Sequence, residues 1–321
     1  MVRVRVGVLR GGVSHEYEVS LATGGSVLKH LQSVYRGHDI LIDREGVWHW
    51  NGLPAEPDLI ARQVDVFWNA LHGEYGEDGK VQQLLDSLGV AYTGSGAMSS
   101  ALAMNKMAAK GFFRQAGLKV PPGFLVRNGE TSAAPAAREV FNTISPPWVV
   151  KPNDRGSSVG LLFARTIAEL TQAINAVWEI SPTIMVEHYL RGREATCGVV
   201  DNFRGAEYYA LPPIEIRRPR GQPVWSYQDK YSGETEEICP GRFSDDEKRE
   251  IERLAITAHR VLGLRHYSRS DFILTSQGIY LLETNSLPGL TGESLLPKAL
   301  GAVGCSYPQF LDHVLSLALN K

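Results

Sequence analysis

The stretch DFILTSQGIYLLETN, residues 271–285, decides the fold prediction for this chain. Two apolar runs flank the polar segment Ser276-Gln277-Gly278, a pattern typical of two strands joined by a tight turn. If these three residues form the loop, Asp271 lies opposite Glu283. The pairs expected between them are Phe272/Leu282, Ile273/Leu281 and Leu274/Tyr280. The hairpin therefore begins with one carboxylate and ends beside another.

Four polar side chains are expected on one face at the open end of this hairpin. Strand side chains alternate between the two faces of a sheet, which places together Arg269, Asp271, Glu283 and Asn285. Two opposed carboxylates repel each other by up to about 1 kcal/mol, and a hard cation removes that cost. Carboxylate and amide oxygens suit Mg²⁺ or Mn²⁺ better than zinc. The pattern is compatible with a metal site and also with two surface charges bridged by Arg269.

A second motif, VVKPNDRGSSVG at residues 149–160, has the composition of an anion-binding loop. Lys151 ends a predicted strand and supplies positive charge, while Gly156, Ser157 and Ser158 let backbone N–H groups approach an anion. The chain contains neither GxxxxGK[ST] nor GxGxxG, so a P-loop NTPase or a typical dinucleotide enzyme is not supported. By itself the motif predicts either a phosphate-binding loop or an ordinary turn.

The overall composition narrows the class of protein. Of 321 residues, 33 are Lys or Arg and 35 are Asp or Glu, and the net charge of -2 argues against general binding to nucleic acid or membranes. We find no apolar run long enough for a transmembrane helix, and the N-terminal MVRVRVGVLRGG alternates like a strand. The 3 cysteines are far apart and fit neither a disulfide framework nor a zinc cluster. We therefore expect a reducing, cytoplasmic location.

Strands and helices alternate along the first third of the chain, which predicts an α/β open sheet. Later segments predict a long helix, further strands, a lid and a helix that begins with a capping box at Ser244–Glu247. The predicted helices cover residues 19–32, 80–90, about 99–117 and 245–262. Strands are predicted at 2–8 and 65–73, one more begins at 148, and two lie within 183–200. The lid is predicted at 212–242.

Several short blocks, spread over almost the whole chain, match one known family. They are GGVSHEYEVSL (11–21), ALHGEYGEDG (70–79), YTGSG (92–96), KPNDRGSSVG (151–160), VEHYLRGREAT (186–196), DKYSGETEEICP (229–240), SRSDF (268–272) and ETNSLPGLTGESLLP (283–297). In their order and spacing the chain resembles the D-alanine–D-alanine ligases of the ATP-grasp superfamily. Two positions depart from the family pattern: Ser270 stands where an apolar residue is common, and Thr284 stands where Val is expected.

The resemblance implies a fold and a reaction. The fold is α/β with a three-domain ATP-grasp architecture: an N-terminal α/β substrate domain with an open parallel sheet at 1–98, a central α+β domain at 99–187 that clamps ATP, and a C-terminal α+β domain with the metal site and lid at 188–321. The reaction joins two D-alanines to D-alanyl-D-alanine using ATP, through an acylphosphate, for peptidoglycan precursor synthesis.

The resemblance also implies the roles of individual residues around ATP. Two Mg²⁺ ions, for which Mn²⁺ can substitute, would be held by Asp271, Glu283 and Asn285. The ATP phosphates would be contacted by Lys106, Lys151, Ser158 and, from the lid, Lys230. Adenine would be read by Glu187 and Leu190, and the ribose hydroxyls by Glu194. Without the resemblance, Glu187 and Glu194 would be interpreted as solvated strand charges.

For the two D-alanines, the resemblance places Glu16 at the first ammonium group and His72 near the first carboxylate. It assigns the oxyanion site to Arg269 and the backbone N–H of Gly289. Ser157 and Tyr231 would hydrogen-bond with the Glu16 region and hold the lid closed. Ser294 and the backbone of Leu295 would bind the second carboxylate at a helix N-terminus. For His72 and Ser294, an ordinary loop histidine and a plain helix cap are the alternatives.

Three other functions stay open at the level of sequence. The chain could be an ATP-grasp ligase with a different second substrate, D-lactate or D-serine; Tyr231 and the absence of His between 189 and 258 favour an amine as the second nucleophile. It could be a nucleotide-binding oxidoreductase, or a non-catalytic ATP-grasp-like binding protein that keeps the metal ligands and lysines without turnover. By family analogy we expect a homodimer, with small molecules as its other partners.

Overall fold

Three β-sheets with flanking helices make up the described part of the chain, which covers residues 3–156, 159–218 and 235–320 of a computed structural model. The first sheet is mixed and mainly parallel at its centre, and the other two are antiparallel. This is the mixed α/β architecture that the sequence predicts. No helix among the described residues is both long and apolar enough to cross a membrane.

The first sheet has the strand order β4-β3-β2-β1-β5-β6. Its strands are β1 (Val4–Gly11), β2 (Tyr35–Ile42), β3 (Trp48–Trp50), β4 (Leu53–Pro54), β5 (Val66–Asn69) and β6 (Ala91–Tyr92). Its helices are α1 (Tyr17–His30), α2 (Pro57–Ala61) and α3 (Lys80–Ser87). The strands β2, β1, β5 and β6 run parallel, which confirms the predicted N-terminal open parallel sheet.

Two glycines turn the chain out of β1 toward the segment that contains Glu16. Gly11 and Gly12 have φ values of 90° and 96°, a region that favours glycine. A Cβ atom at Gly11 would come within 2.3 Å of the Ile42 carbonyl oxygen. Because this approach leaves no room for a side chain, the glycine pair fixes the position of the loop that follows.

The second sheet has the strand order β7-β10-β8-β9 and is covered by two helices. The strands are β7 (Gly123–Arg127), β8 (Trp148–Pro152), β9 (Leu162–Ala164) and β10 (Thr183–His188), and the helices are α6 (Ala133–Thr143) and α7 (Ile167–Trp178). Trp148, Val150, Ile184 and Val186 are fully buried against the helices. Lys151 and Glu187 occupy the other face of the same strands, because side chains alternate along each strand.

The third sheet has the order β14-β13-β11-β15-β16, with β12 also paired to β11. The strands are β11 (Arg193–Phe203), β12 (Ala206–Ala210), β13 (Ile214–Arg217), β14 (Glu236–Ile238), β15 (Tyr267–Thr275) and β16 (Gly278–Asn285). Helix α8 (Asp245–Val261) packs on this sheet and begins with the predicted capping box, in which Ser244 and Glu247 satisfy each other's backbone N–H groups.

The helix predicted at about 99–117 is two helices in the structure, α4 (Ala97–Met104) and α5 (Lys106–Gln115). Asn105 separates them with extended backbone angles, and its side chain accepts a hydrogen bond from the Ala108 N–H. Asparagine is a favoured N-cap residue, so the new start at this position has a local cause. Helix α5 packs against α8 and β16 and therefore lies over the third sheet.

Two C-terminal helices, α9 (Leu295–Ala302) and α10 (Tyr307–Leu319), return to the first sheet. The Phe310 ring lies 6.5 Å from that of Trp68 in β5. The Tyr35 hydroxyl donates a hydrogen bond of 2.6 Å to Asp312. Helices α5 and α10 each pack across the predicted domain limits near 98 and 187. These limits therefore stay a prediction.

The register of the predicted hairpin is wrong between its ends. Its loop is the two-residue turn Ser276-Gln277, so the intervening pairs are Phe272/Leu281, Ile273/Tyr280, Leu274/Ile279 and Thr275/Gly278. A bulge next to Asp271 then leaves Leu282 without a partner in the register and restores the pairing of Asp271 with Glu283. Gly278 has a φ of 120°, a value that favours glycine, and it already pairs with Thr275 as the first residue of β16, which leaves only two residues in the turn.

Candidate active site

A cleft with about 1070 Å³ of empty space lies between the second and third sheets. Its walls come from β8 and β10 on one side and from β11, β15 and β16 on the other. The predicted site residues among those lining it are Lys106, Lys151, Glu187, Leu190, Glu194, Asp271 and Glu283.

Asp271 is the centre of the hydrogen bonds at the open end of the hairpin. Arg269 donates from Nε and Nη2 to its two carboxylate oxygens, at 3.0 and 2.9 Å. Thr196 donates to Asp271 at 2.6 Å, and the Asn285 amide does so at 3.2 Å. The side chains of Arg269 and Asp271 are only 15% and 22% exposed, so they are not the solvated surface charges of the alternative reading.

Glu283 faces Asp271 across the hairpin, and its carboxylate lies 3.5 Å from the Lys106 ammonium. Two carboxylates and the Asn285 amide provide oxygens of the type that Mg²⁺ prefers, so the donor chemistry fits a magnesium site. In residues 3–156, 159–218 and 235–320 no three His, Cys, Asp or Glu side chains form a metal-binding group. A cation here would therefore depend on the amide and on oxygens from a bound ligand.

The two departures from the family pattern are partners of each other. Ser270 and Thr284 face each other across β15 and β16, and their hydroxyl oxygens are 2.9 Å apart. Both side chains are buried, at 0% and 3% exposure. The hydrogen bond satisfies two polar groups that would otherwise be unpaired, so the departures leave the adjacent Asp271–Glu283 pair in register.

Glu187, on the wall of the cleft, contacts two lysines, of which only Lys151 lines the cleft. Its Oε1 atom lies 2.6 Å from the Lys110 ammonium and its Oε2 atom 2.7 Å from the Lys151 ammonium. Although burial opposes ionisation, these two lysines hold the pKa of Glu187 below its ordinary value. Sequence reasoning missed Lys110, because a lysine inside an amphipathic helix gives no signal that it is buried.

The expected ribose-binding residue, Glu194, lies further along the same cleft. Its Oε1 atom is 2.6 Å from Arg218 Nη2, and both side chains are largely buried. Arg218 is a second cleft residue that sequence reasoning missed. Leu190 follows strand β10, three residues after Glu187, and also lines the cleft.

Four predicted site residues lie outside the described residues: Ser157, Ser158, Lys230 and Tyr231. The same holds for most of the predicted lid. The described ends of the predicted lid include β13 and β14, which pair with each other antiparallel at the edge of the third sheet. The predicted phosphate loop is described as far as Gly156 and again from Val159.

A second, smaller cavity adjoins the cleft and contains Glu16. The two spaces share Arg155 and Gly156 in their walls. Glu16 is 8% exposed. A Cβ atom at Gly73 or Gly156 would come within 2.9 or 3.0 Å of its Oε2 atom, so both glycines allow close approach of the backbone to this carboxylate.

His72 is buried behind this cavity in a polar network. Its Nε2 atom lies 2.9 Å from the Thr23 hydroxyl and its Nδ1 atom 3.5 Å from Glu77. Burial opposes protonation, but Glu77 and Glu16 outweigh it and raise the pKa of His72 above its ordinary value. His72 is therefore a buried loop histidine, and its role stays a prediction; its contact with Glu77 is one that sequence reasoning missed.

The loop after β16 brings Gly289 next to Ser294, where a Cβ atom on the glycine would lie 2.9 Å from the serine hydroxyl. Ser294 occupies the N-cap position of α9, but its side chain makes no capping hydrogen bond. Its oxygen instead accepts from the Thr291 N–H at 3.0 Å. Leu295 begins the helix and is buried. Ser294 therefore lies at the N-cap without a side-chain capping bond, and its role in binding stays a prediction.

Comparisons with known proteins point to one family. The family "D-ala D-ala ligase C-terminus" matches residues 112–316, and "D-ala D-ala ligase N-terminus" matches residues 52–95. A D-alanine–D-alanine ligase of Geobacter sulfurreducens is 40% identical over 99% of this chain and 95% of its own length. One from Halalkalibacterium halodurans is 38% identical over 99% of this chain and all of its own length, 100%.

Solved structures agree as well. The D-alanine–D-alanine ligase of Bacillus anthracis complexed with ATP is 30% identical, with a TM-score of 0.81 over 99% of this chain and 98% of that one. The VanG D-Ala:D-Ser ligase of Enterococcus faecalis is 27% identical, with a TM-score of 0.85 over 99% of this chain and 100% of that one. With its ATP-grasp fold and these relatives, the chain belongs to the D-alanine–D-alanine ligase family.

Proposed function

We propose that this protein joins two D-alanines to D-alanyl-D-alanine with ATP, forming ADP and phosphate, as a step in peptidoglycan precursor synthesis. The observation that carries the proposal is the junction of two spaces. The cleft with Asp271 and Glu283 opens beside the small cavity of Glu16, and Arg155 and Gly156 line both. A nucleotide in the first space and an amino acid in the second would have their reacting groups next to each other.

The first D-alanine is held in the Glu16 cavity. The Glu16 carboxylate binds its ammonium group, and Glu77 and Glu16 raise the pKa of His72, which favours a positive charge near its carboxylate. That carboxylate attacks the γ-phosphorus of ATP, the bond between this phosphorus and the β–γ bridging oxygen breaks, and ADP leaves. The product is an acylphosphate whose new bridging oxygen comes from D-alanine.

The second D-alanine attacks the acylphosphate through its neutral amine. The nitrogen bonds to the carbonyl carbon, the tetrahedral intermediate collapses, and phosphate leaves with the bridging oxygen and takes up the proton that the amine nitrogen loses. Arg269 and the backbone N–H of Gly289 stabilise the oxyanion. Ser294 and the start of helix α9 at Leu295 bind the second carboxylate, because a helix N-terminus attracts anions.

The nucleotide lies along the cleft wall. Lys106 and Lys151 contact the phosphates, Glu187 and Leu190 read adenine, and Glu194 binds the ribose after exchanging its ion pair with Arg218. Ser157, Ser158, Lys230 and Tyr231 complete the phosphate loop and lid. Asp271, Glu283 and Asn285 would hold Mg²⁺, which neutralises the phosphoryl oxygens during transfer.

The second substrate, the location and the assembly belong to the same proposal. Tyr231 in the lid favours D-alanine over D-lactate, and D-serine remains the alternative amine. A cytoplasmic location follows from the need for ATP, and a homodimer is expected by family analogy.

Phosphate release from ATP with Mg²⁺ tests the proposal directly. We expect release with D-alanine and none with L-alanine, and a product with the mass of the dipeptide. Adding D-serine or D-lactate should leave D-alanyl-D-alanine as the main product. Release that does not depend on D-alanine would contradict the ligase assignment, and a mixed depsipeptide or D-alanyl-D-serine as main product would reassign the second substrate.

A further inference from the structure

Lys110 is a fully buried lysine behind the wall of the cleft. Lys110 is 0% exposed. It is not one of the described residues that line the cleft, whereas its partner Glu187 is. The ammonium group lies 2.6 Å from Glu187 Oε1. A charged group this deep in a protein requires a partner, because the loss of hydration costs several kcal/mol in typical cases.

The positions of the three charges follow from the secondary structure. Lys110 lies one turn after Lys106 on α5, so the two lysines share a helix face. Lys106 reaches Glu283 of the third sheet, whereas Lys110 reaches Glu187 of the second. In the second sheet Val149 pairs with Glu187, and Lys151 lies two residues further on the same face. Glu187 therefore lies between Lys110, on the side away from the cleft, and Lys151, which lines the cleft.

The charges in this group do not cancel. One carboxylate contacts two ammonium groups, through different oxygens, at 2.6 and 2.7 Å. A net positive charge remains, and the lysine that faces the cleft is Lys151. Without Lys110 the same carboxylate would neutralise Lys151 completely, and an anion in the cleft would have to compete with Glu187 for it.

We propose that Lys110 is a positioning residue that holds the Glu187 carboxylate and so leaves Lys151 available for the phosphates of ATP. The inference rests on the proposed contact between Lys151 and ATP. In the bound state Lys151 turns from Glu187 to a phosphate oxygen, while Lys110 remains on Glu187 and keeps that carboxylate neutralised. Lys110 itself touches neither the nucleotide nor the D-alanines.

The protonation states agree with this arrangement. Burial lowers the pKa of Lys110 to about 8, and Glu187 works in the opposite direction. Burial also opposes the charge on Lys151, but Glu187 and Glu283 raise its pKa above the ordinary value. All three groups are therefore charged at neutral pH, as the proposal requires.

Equilibrium binding of ATP and of adenosine to the full-length protein, without D-alanine, tests this role. Adenosine has the base and ribose but no phosphate, so the affinity for ATP divided by the affinity for adenosine isolates the phosphate contacts. We expect Lys110→Met to lower this ratio about tenfold, whereas Lys110→Arg keeps it within about threefold of the parent. Lys119→Met is the matched control, since Lys119 contacts the hairpin turn through the Gln277 carbonyl, and it should leave both affinities unchanged.

The double variant Lys110→Met/Glu187→Gln provides the decisive comparison for the proposed role of Lys110. Removing both charges leaves Lys151 without a competing carboxylate, so the ratio should return to within about threefold of the parent. Equal losses of ATP and adenosine binding in Lys110→Met, or a double variant no better than the single one, would overturn the proposal. If Lys110→Met does not fold, Glu187→Gln and the double variant are compared, and a lower ratio in the double variant overturns it. None of these outcomes depends on D-alanine, so failure of the ligase proposal is detected separately.

Discussion

Arg155 and Glu74 form an ion pair, with Nη1 and Oε2 separated by 2.6 Å, that joins the predicted phosphate loop to a loop of the first sheet. The Arg155 carbonyl oxygen also accepts a hydrogen bond from Lys106. Arg155 lines the large cleft, the Glu16 cavity and a third cavity beside Asn285. The hydrogen bond from Arg155 lowers the pKa of Glu74, which keeps the pair charged. This contact therefore links the two loops where the three cavities meet Arg155.

Exchanging the two charges tests the contact. Glu74→Arg or Arg155→Glu alone places like charges together and should raise the KM for D-alanine roughly fivefold, equivalent to about 1 kcal/mol. The double exchange restores attraction and should recover most of this loss. Steady-state kinetics of the four proteins measure the coupling. Asp246→Arg, at an exposed pair on α8, is the control, and additive losses in the double variant would refute the contact's role.

Asp271 should be indispensable for metal binding. Asp271→Asn removes a charge that the cation needs, so the Mg²⁺ concentration for half-maximal turnover should rise at least about tenfold and kcat should fall. Activity measured across a Mg²⁺ titration gives both values. Asp246→Asn on the exposed face of α8 serves as the matched control. A normal Mg²⁺ titration curve for Asp271→Asn would remove this residue from the metal site.

Arg269 should act mainly in the transition state. Arg269→Ala removes an oxyanion donor, so kcat should fall by about 10²–10³-fold with little change in the KM for ATP. Arg269→Lys keeps the charge without the bidentate contact to Asp271, so its kcat should be intermediate. Initial rates at saturating D-alanine separate the two parameters. If the KM for ATP rises while kcat is unchanged, Arg269 belongs to nucleotide binding.

The protonation of His72 predicts a pH dependence of D-alanine binding. Its raised pKa means that the folded protein favours the charged form, so the favourable contribution is complete at low pH and is lost as pH rises through the raised pKa. The KM for D-alanine should therefore rise on the alkaline side. Glu77→Gln removes the main group that raises this pKa, and burial then dominates.

The Glu77→Gln variant should therefore shift the rise in KM to lower pH, and His72→Asn should abolish it. Profiles of KM against pH for the three proteins provide the measurement, with the KM for ATP as an internal control. A shift to higher pH in Glu77→Gln would show that the sign of this coupling is wrong.

The Ser270–Thr284 hydrogen bond should couple the two strands that carry the metal-site residues. Ser270→Ala leaves the buried Thr284 hydroxyl without its partner and should lower the free energy of unfolding by about 1–3 kcal/mol. Ser270→Ala/Thr284→Val removes both polar groups and should recover most of that loss. Denaturant unfolding of both variants measures the difference. A double variant that is less stable than the single one would contradict this account.

The hairpin shows how far sequence reasoning extends. Alternation along the strands and the polar segment between them, which are local features, were enough to predict a hairpin, and the predicted pairing of Asp271 with Glu283 is present. The pairs between them could not be predicted, since a bulge at Leu282 and a shorter turn compensate each other. Asn105, by contrast, carried a local signal for a helix start that could have been used.

Contacts between distant segments were beyond prediction from sequence. Lys110 lies on a helix and its partner Glu187 on a strand of another layer, so no spacing in the chain relates them. The same holds for Glu74 with Arg155 and for Glu194 with Arg218. The resemblance assigned roles to residues that touch ligands, whereas the structure adds the residues that position them.

The most direct test of the central claim uses D-alanine labelled with ¹⁸O in its carboxylate. If the carboxylate attacks the γ-phosphorus and phosphate leaves from the acylphosphate, each phosphate released with dipeptide formation carries one oxygen from D-alanine. Mass spectrometry of the phosphate after turnover reads this directly. Phosphate with one ¹⁸O atom is the predicted result. Unlabelled phosphate, or ¹⁸O found in AMP, would contradict the acylphosphate route and the roles proposed for the residues around it.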